Sequence, residues 1–136
     1  PLEIVTPRQW YISNGARDED LKKRLLQRGT DVQFHPDFMR VRYENWVEGL
    51  SGDWLISRQR FFGVPLPIWY RVDDDGEVLR DQVITPESDS LPVDPTSEPP
   101  PGFDESQRGA AGGFVGEADI MDTWATSSLT PQIAGG

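Results

Sequence analysis

The chain has 136 residues, no cysteine and a formal net charge of −10. That length suits one modest hydrophobic core, and without cysteine neither a disulfide framework nor a thiolate zinc site can form. No run approaches the roughly 20 apolar residues of a membrane span, and no basic-then-apolar leader pattern opens the sequence. The expectation is a soluble, cytoplasmic, monomeric chain that meets no membrane.

The charge is unevenly spread. Residues 1–72 hold 11 basic and 9 acidic side chains, residues 73–105 hold 11 acids against Arg80 alone, and residues 106–136 set Arg108 against three acids. The acidity belongs to one stretch. Nucleic-acid contact needs clustered Lys and Arg, because counterion release occurs only there. The remainder of the chain escapes the acidic balance but shows no basic stripe.

In chain order, residues 1–14 read as an entering strand or extended segment, with Ile4 and Val5 leading to Trp10, Tyr11 and Ile12 across Pro7. Asp18, Glu19 and Asp20 open a helix whose acids suit its positive end; Leu21 and Leu25 stack at i,i+4, and Gly29 is expected to stop it. Pro36 and Asp37 start a second helix. Its apolar face is Met39, Tyr43, Trp46, Val47 and Leu50, and Gly49, Ser51 and Gly52 close it. Trp54-Leu-Ile56 is a continuous apolar run, the pattern of a strand covered on both faces.

Phe61-Phe-Gly63 turns the chain, and Val64, Leu66 and Ile68 then alternate with Pro65 and Pro67. Prolines cannot donate to a ladder, which predicts a strand that sits at an edge or pairs on one side only. Asp73-Asp-Asp-Gly76 is a turn leading to a short return strand near Val78. From Pro86 to Gly113 come six prolines, repeated Asp, Glu and Ser, and almost no aliphatic side chains. Such a stretch cannot offset its own ordering entropy by apolar burial, so the expectation is an irregular excursion, mobile or laid over the surface. Apolar character returns at Phe114-Val115 and Ile120-Met-Asp-Thr-Trp124.

Two short strings carry the candidate chemistry. Ser57, Arg58, Gln59 and Arg60 follow the Trp54 run, and ligands gather beyond the carboxyl ends of strands in parallel α/β sheets. Two arginines at i,i+2 suit a phosphate or nucleic-acid backbone, or simply neighbouring carboxylates. In the second string, Trp124 after Asp122 suits one wall of an apolar pocket or ordinary core packing. Thr126, Ser127 and Ser128 cap a helix starting near Leu129 or face the same cavity. His35, the only histidine, precedes a proline and reads as exposed or capping, so a Ser/His/Asp arrangement has no support. No phosphate loop is present, and Asp73-Asp74-Asp75 lacks the spaced ligands of a calcium loop.

Asp53-Trp-Leu-Ile-Ser-Arg-Gln-Arg-Phe-Phe-Gly63 and Asp122-Thr-Trp-Ala-Thr-Ser-Ser128 together resemble the catalytic half of class I aminoacyl-tRNA synthetases, and among them the valyl enzymes. Isoleucyl enzymes usually carry Asp-Val-Trp with an Asp-Ser-Gly ending, and leucyl enzymes a Phe in place of the Trp. The resemblance implies an α/β, partial Rossmann-like nucleotide-binding fold with two helices, a few strands and a long irregular acidic insert. Residues 1–14, with Arg8-Gln-Trp-Tyr11, are similar to the return segment from the editing insertion, and 15–72 to helices and strands of the catalytic domain. Residues 73–116 would be an acidic Pro/Gly-rich insert where many relatives have a zinc-ribbon-like element, and 117–136 the start of the following segment.

The implied function is a segment of an enzyme that activates valine with ATP (and Mg) and transfers it to tRNA(Val), with no zinc expected in this stretch. Trp124 is similar to the tryptophan lining the amino-acid pocket, with Asp122 beside it; Ser57, Arg58, Gln59 and Arg60 are carried over as active-site-proximal only. No catalytic residue is assigned. Neither His-Ile-Gly-His nor Lys-Met-Ser-Lys-Ser occurs, and those elements hold the ATP phosphates, so this segment alone is expected to be inactive. The alternatives are a segment of an isoleucyl or leucyl enzyme, which Thr123 and the Ala125-Thr126 continuation disfavour, and a non-catalytic module that binds a basic partner through its acidic stretch.

Overall fold

A computed structural model describes residues 7–135. Ile4 and Val5, expected to lead the entering strand, lie outside the described residues. The chain forms two compact units, divided between Ile56 and Ser57.

The first unit contains β1 (Tyr11–Ile12), α1 (Glu19–Asp31), α2 (Met39–Glu48) and β2 (Trp54–Leu55). β1 and β2 pair antiparallel, Tyr11 opposite Leu55 and Ile12 opposite Trp54. The Ile56 amide extends the pairing by donating to the Trp10 carbonyl at 3.0 Å. Asp18 caps α1 from an extended backbone, its carboxylate accepting the Leu21 amide at 2.8 Å, while Glu19 and Asp20 meet the helix dipole in the first turn.

Gly29 does not end α1, which runs on to Asp31. Its role is spatial: a Cβ there would sit 2.5 Å from the Tyr43 ring, so the missing side chain lets α2 approach. The Tyr43 hydroxyl donates to the Leu25 carbonyl at 2.6 Å, and Val47 is fully buried. Trp46 does not join this face and is 67% exposed, because it stands 100° around the helix from Val47. Nor is Trp54–Leu55 covered on both faces; both residues are only half-buried.

The second unit begins with β3 (Ser57–Arg58), then β4 (Trp69–Val72), β5 (Val78–Ile84), β6 (Phe114–Gly116), β7 (Ile120–Met121), α3 (Thr123–Ser127) and α4 (Thr130–Gly135). β3 pairs antiparallel with β7, Ser57 opposite Met121. β4 is the centre of an antiparallel sheet in the order β5-β4-β6. Trp69, Tyr70, Val72 and Phe114 form its core, with Leu66 buried close by in sequence.

The expected alternation at Val64, Leu66 and Ile68 does not form a regular strand. It is an extended segment held at intervals, the Met121 amide donating to Val64 and the Glu117 amide to Ile68. Pro65 and Pro67 have no N–H to complete a ladder. The Asp73 turn forms as expected: its carboxylate accepts the amides of Asp75 at 3.0 Å and Glu77 at 2.8 Å, feeding β5.

The architecture is therefore mixed helices and small antiparallel sheets. A parallel nucleotide-binding sheet is not present among the described residues, since every strand pair is antiparallel. Short connections explain part of this. The turn between β4 and β5 is far too short for the crossover that parallel strands need, about a dozen residues or more.

Residues 86–113 contain two single 3-10 turns, Ser88–Ser90 and Glu105–Gln107, and pack against the sheet. Pro95 and Pro100 are among the most buried residues. The Trp69 indole N–H donates to the Glu98 carbonyl at 2.8 Å, and the Phe103 ring meets Phe114 edge-on at 5.5 Å. Gly116 permits the approach, because a Cβ there would lie 2.1 Å from the Pro95 carbonyl oxygen. Rigid proline rings thus supply burial that the scarcity of aliphatic side chains had argued against. Their φ is already restricted, so ordering them costs less entropy.

Polar locks complete this stretch. Arg108 pairs with Glu105, donates to the Pro95 carbonyl at 2.8 Å and lies over the Phe114 ring at 5.0 Å. Hydrogen bonds from the Thr96 hydroxyl and amide, with a lesser pull from Arg108, hold the Asp94 carboxyl below its ordinary range. The Arg108 guanidinium does the same for Glu105 and is itself held protonated. Both carboxyls bind protons more weakly folded than unfolded, so their contribution is present above about pH 4.5 and is lost as pH falls through their lowered values. NMR titration of the Asp94 and Glu105 side chains is expected to give midpoints below those of the urea-unfolded chain; equal or higher midpoints would refute the locks.

Candidate substrate-binding depression

β3 and β7 bring the two signature strings together. Beside this pair is an open depression of about 280 Å³, lined by Arg58, Arg60, Phe62 and Val64 from one string and by Ile120 through Trp124 and Thr126 from the other. Trp124 is 75% exposed. Ordinary core packing is thereby ruled out for this ring in this unit, and the indole stands as one side of the depression.

Asp122 is 7% exposed and divides its two carboxylate oxygens. Oδ1 accepts the Trp124 amide at 2.6 Å and caps α3; Oδ2 pairs with the Arg58 guanidinium. Arg58 also donates from Nη1 to the Ser57 carbonyl at 2.8 Å. The opposing charge and the hydrogen bonds compensate the burial of Asp122, which would otherwise be costly. The two arginines therefore differ. Arg58 is engaged with a carboxylate, while Arg60 is exposed on the rim and has no ion pair or hydrogen bond among the described residues.

Ser57 is 1% exposed and sits within the β3–β7 pairing rather than at the surface of the depression. Gln59 points elsewhere, its amide donating to the Asp119 carboxylate at 2.6 Å. Thr126, Ser127 and Ser128 do not cap a helix at its start. Each hydroxyl donates back to a carbonyl three residues earlier, at Thr123, Trp124 and Ala125, and Ser128 closes α3. Thr126 also lines the depression. His35 is exposed in the first unit.

Sequence reading missed Phe62. It lies in the turn that the sequence predicts, is 85% exposed, lines the depression, and meets Phe61 edge-on at 4.9 Å. Two adjacent aromatics just before a glycine were the available signal, since turns seldom spend large apolar side chains. Gly63 follows because a Cβ there would collide with Ile120, 2.2 Å from its Cδ1. Among the described residues no group of His, Asp or Glu side chains is arranged to hold a metal ion. No described helix is long and apolar enough to cross a membrane.

The chemistry available is thus an aromatic, partly apolar recess with a free guanidinium on its rim and a buried carboxylate beneath. Comparison with known proteins shows the family of the chain. The chain is 66% identical over all 136 residues to a "Valine--tRNA ligase" of Leifsonia xyli subsp. xyli, of which it spans 16%. It is 64% identical over 136 residues to one of Cutibacterium acnes, again 16% of that protein, and 62% to one of Thermobifida fusca, 15% of its length. The chain thus spans about one sixth of the curated relatives it matches. A family model described as tRNA synthetases class I (I, L, M and V) matches residues 3–134, nearly the whole sequence, and the chain belongs to that family.

Proposed function

We propose that this chain is part of the catalytic half of a valine–tRNA ligase, which activates valine with ATP and Mg and transfers it to tRNA(Val). The depression holds the aliphatic side chain of valine against Trp124 and Phe62, and Asp122 fixes the backbone that carries Trp124. Arg58 and Arg60 line it as well, Arg60 at the rim, while Ser57 and Gln59 are its surroundings. The observation that carries this reading is that β3 and β7 bring the two strings together, so that Phe62 and Trp124 line one recess. Trp124, Phe62 and Val64 line that recess together, so an aliphatic side chain seated there would meet apolar surface on several sides. Identity above 60% to valine–tRNA ligases over the whole chain supports valine over isoleucine or leucine.

On this reading residues 1–14 return from the editing insertion, 15–72 and 117–136 belong to the Rossmann-like catalytic domain, and 73–116 replace a zinc-ribbon-like element. An apolar pocket separates amino acids that differ by one methylene only about 10- to 200-fold, and such enzymes therefore edit. The parent functions as a cytoplasmic enzyme and the 136-residue chain alone as an inactive monomer.

The test is amino-acid-dependent pyrophosphate exchange. The full-length protein is expected to exchange with valine far better than with leucine or isoleucine, and the 136-residue chain to show only background. A full-length response to isoleucine or leucine above that to valine would overturn the assignment. The acidic-module alternative predicts no amino-acid-dependent exchange at all.

A further inference from the structure

We propose that Arg58 is a positioning residue for the amino-acid pocket, acting through Asp122 on the Trp124 ring. The inference rests on the reading of Trp124 as a pocket wall and assigns a role to a residue that the sequence placed only nearby.

The connection is continuous. Ser57 is 1% exposed and its backbone is paired in β3 opposite Met121, so it is a firm anchor. Arg58 Nη1 donates to the Ser57 carbonyl at 2.8 Å, and Nη2 pairs with Asp122 Oδ2. Asp122 Oδ1 accepts the Trp124 amide at 2.6 Å. The planar guanidinium spans the two acceptors with a fixed fork, which a lysine ammonium cannot reproduce.

The ring needs such help. These 136 residues leave Trp124 75% exposed and give the ring little packing, so within this unit its direction follows from its backbone. That backbone lies in the five-residue α3, after the two-residue β7. A helix so short is not stable by itself and takes its position from its cap. The cap is a buried carboxylate whose orientation depends on its charge partner. Arg60 is not placed to substitute: Asp122 pairs with Arg58, and Arg60 has no ion pair among the described residues.

Loss of Arg58 would therefore free Asp122 to turn toward water, loosen α3 and let the indole leave the position that meets an aliphatic side chain. The effect falls on the amino acid and not on ATP. A merely structural role would lower the amount of active enzyme and leave the KM for valine alone.

The experiment uses the full-length ligase, with active sites titrated, in valine-dependent pyrophosphate exchange. Arg58→Met keeps the side-chain stem and removes the charge. It is expected to raise the KM for valine about tenfold with the KM for ATP within about twofold. Arg58→Lys is expected to recover part of that loss, to about threefold. The double variant Arg58→Met/Trp124→Ala is expected to be no worse than Trp124→Ala alone, because one residue acts through the other. A loss in Arg58→Met confined to kcat or to the active fraction would overturn the proposal, as would losses that multiply in the double variant. If Arg58→Met yields no folded enzyme, the same valine and ATP comparison on Arg58→Lys decides, and an unchanged valine KM there overturns it. An unchanged valine KM in Trp124→Ala would instead remove the pocket reading, so the two failures are told apart.

Discussion

Replacing Trp124 by alanine in the full-length ligase is expected to raise the KM for valine about 10- to 100-fold while barely changing stability. The reasoning compares two magnitudes. Burying an aliphatic or aromatic side chain against an apolar partner is worth about 1.5–3 kcal/mol, and each 1.4 kcal/mol is about tenfold in affinity. The indole is 75% exposed within these residues, so its removal takes little buried area from this unit. Truncating a core tryptophan would do the reverse, costing about 3–5 kcal/mol of stability. Urea denaturation and pyrophosphate exchange on the same variant separate the cases. A midpoint that falls sharply with an unchanged valine KM would show that Trp124 supports the fold instead of the substrate.

Trp69 is the contrasting case. It is 1% exposed at the centre of the three-stranded sheet, and its indole N–H reaches the Glu98 carbonyl at 2.8 Å. Trp69→Ala is expected to cost about 3–5 kcal/mol from the cavity and lost apolar burial, a large part of a domain stability of about 5–15 kcal/mol. Trp69→Phe keeps most of the ring but strands the Glu98 carbonyl, which is worth about 1–3 kcal/mol. The ordering matters: alanine worse than phenylalanine, and both worse than wild type, read from urea midpoints. In Trp69→Phe, amide protection in residues 94–108 should weaken, because the bond ties that stretch to β4. Protection unaltered there would mean that the prolines alone hold it, through Pro95 on Gly116.

What was legible in the residues was local. Asp18 capping α1, the Asp73 turn into β5 and the helical period of Tyr43 and Val47 each depend on neighbours within one or two turns of chain. The two signature strings were legible as well, because they are contiguous and their residue types are unusual together. Gly29 misled, since a glycine reads as a stop unless one knows that a ring from another helix lies against it.

Tertiary structure decided the rest. The direction of every strand pair, the ordering of residues 86–113 by buried prolines, and the entry of Phe62 into the depression all depend on partners distant in sequence. Arg58 and Arg60 make the point most simply. Two residues apart and identical in chemistry, they have opposite fates because Asp122, 64 positions after Arg58, comes to face one of them. Coulomb attraction falls with distance and not with sequence separation, so composition could supply the charges but only the folded chain could assign them.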